Sequence, residues 1–144
     1  MSFAFKRAED SPGFLLWQVT IQWQREQRKA LAKLGLTHAQ FVVLASLLWL
    51  ETHTETEVTQ NHVSELSKID KMSMSDLVKI LIQKKLIRRT HHQQDKRAYA
   101  LTLTPKGKKL VLKAIPIVEK IDTDFFTSQN SDLQQLIHVL GDLS

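Results

Sequence analysis

Residues 59–104 read TQNHVSELSKIDKMSMSDLVKILIQKKLIRRTHHQQDKRAYALTLT, and this stretch decides the fold. Thr59 suits a helix N-cap, and Val63 and Leu66 then share the inward side of a short helix. The pattern breaks at residues 68–70. Asp70 caps a second helix with Met74, Leu77, Val78 and Leu81 on its apolar stripe. A short helix, a tight turn and a second helix form the helix-turn-helix order. Met72, Ser75, Asp76, Lys79 and Gln83 fall largely opposite the stripe, with Ser73 at its margin, so these side chains are free to enter a groove. Ile87–His91 reads as a strand. Residues 92–97 form a polar hairpin tip. Tyr99, Leu101 and Leu103 then alternate with Ala98, Ala100 and Thr102, which predicts a half-buried strand with the first set inward.

Charge sharpens this reading. The chain of 144 residues carries a formal charge of only +5. Residues 83–113 nevertheless hold ten basic side chains (Lys84, Lys85, Arg88, Arg89, Lys96, Arg97, Lys106, Lys108, Lys109 and Lys113) against one acid, Asp95, so the remainder is net acidic. A local excess of this kind calls for a polyanionic partner. Placed around a hairpin next to a helix-turn-helix, it points to a winged helix that meets double-stranded DNA. The competing reading is a basic face that is merely solvated.

The flanking sequence supplies more helices. Ser11-Pro12 is a helix start, followed by Leu16, Val19, Trp23, Ala30 and Leu34 at helical spacing and by Gly35 as a stop. Thr37 and Gln40 have capping-box spacing ahead of Phe41, Leu44, Ala45 and Leu48, a helix expected to end near Glu51 before a loop over residues 52–58. Thr104-Pro105 opens a long helix through Leu110, Val111, Ala114, Val118, Ile121 and Phe125, in which Pro116 predicts a kink. A last helix is expected from near Ser131, with Leu133, Leu136, Ile137 and Leu140 on one side. The outer helices carry Trp17, Trp23, Ile121, Phe125, Phe126, Leu136 and Leu140, more apolar surface than so small a domain readily buries. A partner subunit is the expected cover; closure over the chain's own core is the alternative.

Composition excludes several classes of function. There is no cysteine, hence no disulfide, thiolate catalysis or Cys-ligated zinc. The N-terminus has no signal-peptide character, and the longest apolar run, residues 41–50, is too short to span a bilayer. A cytoplasmic protein without membrane partners is expected. His38, His53, His62, His91, His92 and His138 form no tight ligand pattern, so no metal is expected, and His91 and His92 are read as lying near the nucleic acid. Asp122 and Asp124 read as solvated surface. No catalytic or nucleotide-binding motif occurs, so the chain is not read as an enzyme and no cofactor is assigned. Trp17, Trp23, Phe41 and Trp49 are read first as core, with a ligand pocket as the alternative.

The order helix, helix, short helix, recognition helix, wing, long helix, helix resembles the MarR (multiple antibiotic resistance regulator) family of bacterial winged helix-turn-helix transcription factors. The residues that carry the likeness are Asp95-x-Arg97, the run Leu103-Thr104-Pro105-Lys106-Gly107, and LIQKKLIRR at 81–89. The resemblance implies a mainly α fold with a small β-hairpin wing. Residues 1–144 form one such domain: 11–35 and 105–144 dimerise, and 37–104 are the DNA-binding part, with recognition helix 71–84 and wing 87–103. It implies a homodimer with its recognition helices in successive major grooves and its wings in the flanking minor grooves of a palindromic operator. It also implies repression relieved by a small phenolic or aromatic effector, bound between the dimerisation and DNA-binding parts. The competing class is a winged-helix protein-interaction module without sequence-specific DNA binding.

On this reading Arg97 enters a minor groove, where a guanidinium suits the negative potential. Asp95 holds Arg97 in a forked ion pair and tightens the wing; an ordinary charged turn is the alternative. Lys71, Lys79, Lys96, Arg88 and Arg89 meet phosphate, though one of the two arginines should point away because strand neighbours alternate. Ser73 and Ser75 touch base edges or phosphate, unless they merely serve the helix start. Gln60 and Asn61 offer phosphate contacts or simple capping. Two positions depart from the family pattern. Lys85 stands where Gly is common and is strained if its φ is positive. Asp76 stands where Arg is common; an acid repels phosphate but accepts from a cytosine amino group, which fits a different operator preference.

Overall fold

The computed structural model describes residues 2–127 and 133–144. After a 3-10 turn at Ala8–Asp10 come helices α1 (Pro12–Ala32), α2 (His38–His53), α3 (Gln60–Ser67) and α4 (Lys71–Gln83). Strands β1 (Ile87–His91) and β2 (Tyr99–Leu103) follow, then helices α5 (Pro105–Thr127) and α6 (Leu133–Leu143). The expected helix start near Ser131 lies outside the described residues. The chain divides into a central unit, Leu31–Pro116, and a terminal unit, Met1–Ala30 with Ile117–Ser144.

The central unit is a winged helix-turn-helix. Its helix starts are built by local hydrogen bonds that satisfy otherwise unpaired N–H groups. Thr37 and Gln40 form the expected capping box on α2. Thr59 caps α3 in the same way, but its reciprocal partner is His62, whose Nδ1 accepts the Thr59 N–H at 3.2 Å. α3 ends at Lys68 in the left-handed conformation, φ 63°, which produces the tight turn before Asp70 caps α4. Val63, Met74, Val78 and Leu81 are fully buried with Leu44 and Leu47 of α2. Leu66 departs from expectation: it is exposed, and Ser64 takes the inward position beside Val63. Over eight residues the helix has room for one buried stripe, and 63–64 defines it.

β1 and β2 pair antiparallel in the register Ile87↔Leu103, Arg89↔Leu101, His91↔Tyr99. Leu101 is buried as the alternation predicts, but Tyr99 is half exposed and Ala100 is buried. Tyr99 keeps its face, yet the hairpin carries it toward the tip, where it packs on His91 instead of the core. Ala100 is covered because the segment before α3 is not wholly a loop. The Val58 carbonyl accepts the Leu101 N–H at 2.8 Å, and Thr59 bridges Ala100. The small side chain at 100 fits beneath that third segment.

α5 starts in a tight junction. Thr104 Oγ1 donates to the Lys85 carbonyl at 2.7 Å and accepts the Gly107 N–H at 3.0 Å. A Cβ at Gly107 would overlap the Leu86 backbone carbonyl, so only glycine fits. Lys85 sits at φ 61°, the left-handed region in which a residue other than glycine is strained. α5 continues through Pro116.

The terminal unit has its own polar anchor. Asp122 Oδ1 accepts from Trp23 Nε1 and from Gln27 Nε2, each at 2.7 Å. Asp122 is therefore half-buried and bonded, not the solvated acid expected; Asp124 is exposed and pairs with Lys120. Trp17 of this unit and Trp49 of the central unit are 64% and 56% exposed, which overturns the reading of these two as core; Phe41, also of the central unit, is buried. A groove of about 570 Å³ runs along Leu15, Leu16, Val19, Trp23, Phe126, Leu136, Ile137 and Leu140.

Candidate nucleic-acid interface

α4 offers the groove-entering face. Asp70 Oδ1 accepts the Ser73 N–H and Oδ2 accepts the Ser73 hydroxyl, both at 2.8 Å. These bonds to Ser73 hold the Asp70 carboxyl below the usual carboxylate range. The inward stripe is locked in the core, which leaves Lys71, Met72, Ser73, Asp76, Lys79 and Gln83 exposed on the other side. Ser75 is half-buried, so of the two serines proposed for contact only Ser73 stands clear, with its proton already given to Asp70.

A second feature joins α3, the start of α4 and the wing. A concavity of about 330 Å³ is lined by Thr59, Gln60, Asn61, Ser64, Lys71, Asp95, Arg97, Ala98 and Tyr99. Five sequence-derived candidates thus meet in one place: Gln60, Asn61, Lys71, Arg97 and Asp95. Asn61 Nδ2 donates to Glu65 at 3.0 Å. Gln60 Oε1 is buried without a partner among the described residues. Lys79, Lys96, Arg88 and Arg89 do not line this concavity.

The wing is held by its own polar groups. Asp95 Oδ1 accepts the Arg97 backbone N–H at 3.1 Å, and its carbonyl accepts the Ala98 N–H at 3.0 Å. The forked side-chain pair expected between Asp95 and Arg97 is not among the ion pairs of the described residues. The carboxylate is spent on the turn instead. His91 and His92 also have structural partners. His91 Nδ1 donates to the Lys96 carbonyl at 3.0 Å. His92 Nδ1 accepts the N–H groups of Gln94 and Asp95 at 3.1 and 3.0 Å. Glu57 closes the set, lying 3.4 Å from His92 Nε2 and accepting the Gln93 N–H at 3.1 Å.

Arg88 and Arg89 take opposite faces of the hairpin. Arg88 is exposed opposite Thr102, whereas the Arg89 guanidinium lies 4.6 Å from the centroid of the Tyr99 ring. That stacking is a cation–π contact. Glu57, Ser64 and Tyr99 were not anticipated here. Thr59 reads from its sequence only as a helix cap, and nothing local marks the pairing of 58–59 with β2. Among the described residues no cluster of His, Asp or Glu could hold a metal, and no helix is long and apolar enough to cross a membrane.

A recognition-type helix with an unburied polar face, set beside a basic wing, defines a winged helix-turn-helix DNA-binding protein. Comparison with known proteins agrees. A family model described as "ArnR1-like, winged-helix domain" matches residues 32–121. The HTH-type transcriptional regulator YdcH of Bacillus subtilis (strain 168) is 47% identical over 124 residues, 86% of this chain and 84% of that protein. Among solved structures, a mutant Escherichia coli MarR complexed with operator DNA superimposes with a TM-score of 0.82, at 22% identity over 99% of both chains. Bordetella bronchiseptica BpsR, whose DNA binding is regulated by 6-hydroxynicotinic acid, gives 0.78 at 26% identity, over 91% of this chain and 96% of that one. The chain belongs to the MarR family of winged-helix transcriptional regulators and is not an enzyme.

Proposed function

We propose that this protein is a homodimeric repressor that binds a palindromic operator through α4 and the wing and is released by a small aromatic or phenolic effector. The observation that carries the DNA-contact assignment is the convergence of Gln60, Asn61, Lys71 and Arg97 on one concavity beside the exposed face of α4. Lys71 and the start of α3 suit phosphate, while Arg97 is free to enter a minor groove. Met72, Ser73 and Asp76 face the bases, and Lys79 meets phosphate on the neighbouring strand. Lys96 and Arg88 supply further phosphate contacts, and Arg89, stacked on Tyr99, braces the wing. Ser75, half-buried, has at most a marginal contact.

The dimer is supported by the apolar side chains left exposed on the terminal unit, including Leu15, Leu16, Trp17, Ile137 and Leu140. Symmetric pairs that read two half-sites are the usual solution for a domain of this size. The effector is supported by the likeness to BpsR, whose DNA binding responds to a hydroxylated aromatic acid. Repression is the simplest consequence of occupying an operator with a protein that does no chemistry on it.

Selection of bound duplexes from a random pool tests the reading. The expected product is an inverted repeat with half-sites about one helical turn apart. An unenriched pool would refute it. A reporter driven from a promoter overlapping the enriched site should be silenced by the protein.

A further inference from the structure

We infer that Asp76 selects cytosine: its carboxylate accepts a hydrogen bond from the cytosine amino group at one position of each operator half-site. This inference rests on the DNA-binding reading above and adds a base to it.

Acids are rare along α4, the wing and the start of α5. From residue 71 to residue 113 the chain has only two, Asp76 and Asp95. Asp95 is used by the fold, since its carboxylate closes the wing turn on the Arg97 N–H. Asp76 has no such employment. It is exposed midway along α4, between Met72 one turn before it and Lys79 one turn after it, and no hydrogen bond or ion pair engages it among the described residues. It does not cap α4, which Asp70 does. A negative charge on the face that must approach phosphates opposes binding unless something on the DNA rewards it.

The major groove offers one base suited to that reward. A carboxylate only accepts hydrogen bonds. Guanine presents two acceptors there and thymine a carbonyl and a methyl group, so both repel it. Adenine presents its amino group next to the N7 acceptor, which half-repels it. Cytosine presents the amino donor alone. The same carboxylate that penalises the other three bases therefore favours the fourth, and the penalty itself makes Asp76 discriminating.

The test is random-pool selection with wild-type protein, Asp76→Ala and Asp76→Asn, each first shown by thermal melting to be folded, followed by binding titrations on the enriched duplexes. Wild type should enrich cytosine at a symmetric pair of positions. Replacing that base should weaken binding roughly tenfold or more. D76A should lose the preference at that pair alone. D76N should move it to adenine, whose amino group and N7 match an amide. Identical base preferences for all three proteins would overturn the inference, as would D76A binding every sequence more tightly without a change in preference, because Asp76 would then only repel phosphate. If the wild type enriches no sequence, the DNA-binding reading falls first and this inference with it.

Discussion

The central and terminal units treat their apolar side chains in opposite ways. In the central unit Val63, Met74, Val78, Leu81, Ile87 and Leu101 are 2% exposed or less, and polar caps close the helix starts. In the terminal unit Leu16 and Trp17 of α1 and Ile137, Val139 and Leu140 of α6 remain open to solvent. The first is a finished core that can hold α4 rigidly. The second has a part-buried polar anchor, Asp122 with Trp23 and Gln27, surrounded by unburied surface. At about 25 cal/mol per Å² of apolar area, such a surface is a strong incentive to associate. One unit encloses its core within a single chain, although Trp49, Leu66 and Met72 stay exposed on its surface; the other is proposed to be completed by a second copy.

The strongest way to break this comparison is to charge the terminal surface. Leu16→Glu should yield a folded monomer by sedimentation velocity and lose operator binding with it, since each monomer then engages only one half-site. A variant that stays dimeric would show that the groove at Leu16 is not the interface. Next comes the core junction. Gly107→Ala forces the Leu86 carbonyl to move and should destabilise the protein by about 1–3 kcal/mol in urea unfolding, the usual range for overpacking. An unchanged midpoint would mean that α5 shifts freely. Arg97→Ala should leave stability alone and weaken specific operator binding by roughly 1–3 kcal/mol at matched salt. Equal affinity would remove the wing tip from the interface. The smallest effect should come from Lys85, held at φ 61°. Lys85→Gly should raise stability by roughly 0.5–1 kcal/mol through relief of left-handed strain, less the entropy that glycine adds to the unfolded chain.

The central unit was the more legible of the two, because its signals are local. Thr37, Thr59, Asp70 and Thr104 each announced a helix start by residue type and spacing, and the two strands lie where the pattern put them. The readings that failed depend on residues distant in sequence. Ala100 is buried because Val58 and Thr59 pair beside it, some forty residues earlier, and alternation within one strand holds no record of that. Asp122 read as a surface acid because its partners, Trp23 and Gln27, lie at the other end of the chain. Asp95 did turn out to shape the wing, but through a backbone N–H, which no side-chain pattern displays. In the candidate site, residue types identified the basic and polar contributors; that Gln60, Asn61, Lys71 and Arg97 meet in one concavity came only from the fold.

Binding to duplex DNA over a salt series tests the electrostatic centre of the account most directly. The logarithm of affinity should fall steeply and linearly with the logarithm of salt concentration, and Lys79→Ala should reduce that slope by about one while weakening all sequences alike. Weak binding with no salt dependence, or a slope that Lys79→Ala leaves untouched, would contradict it.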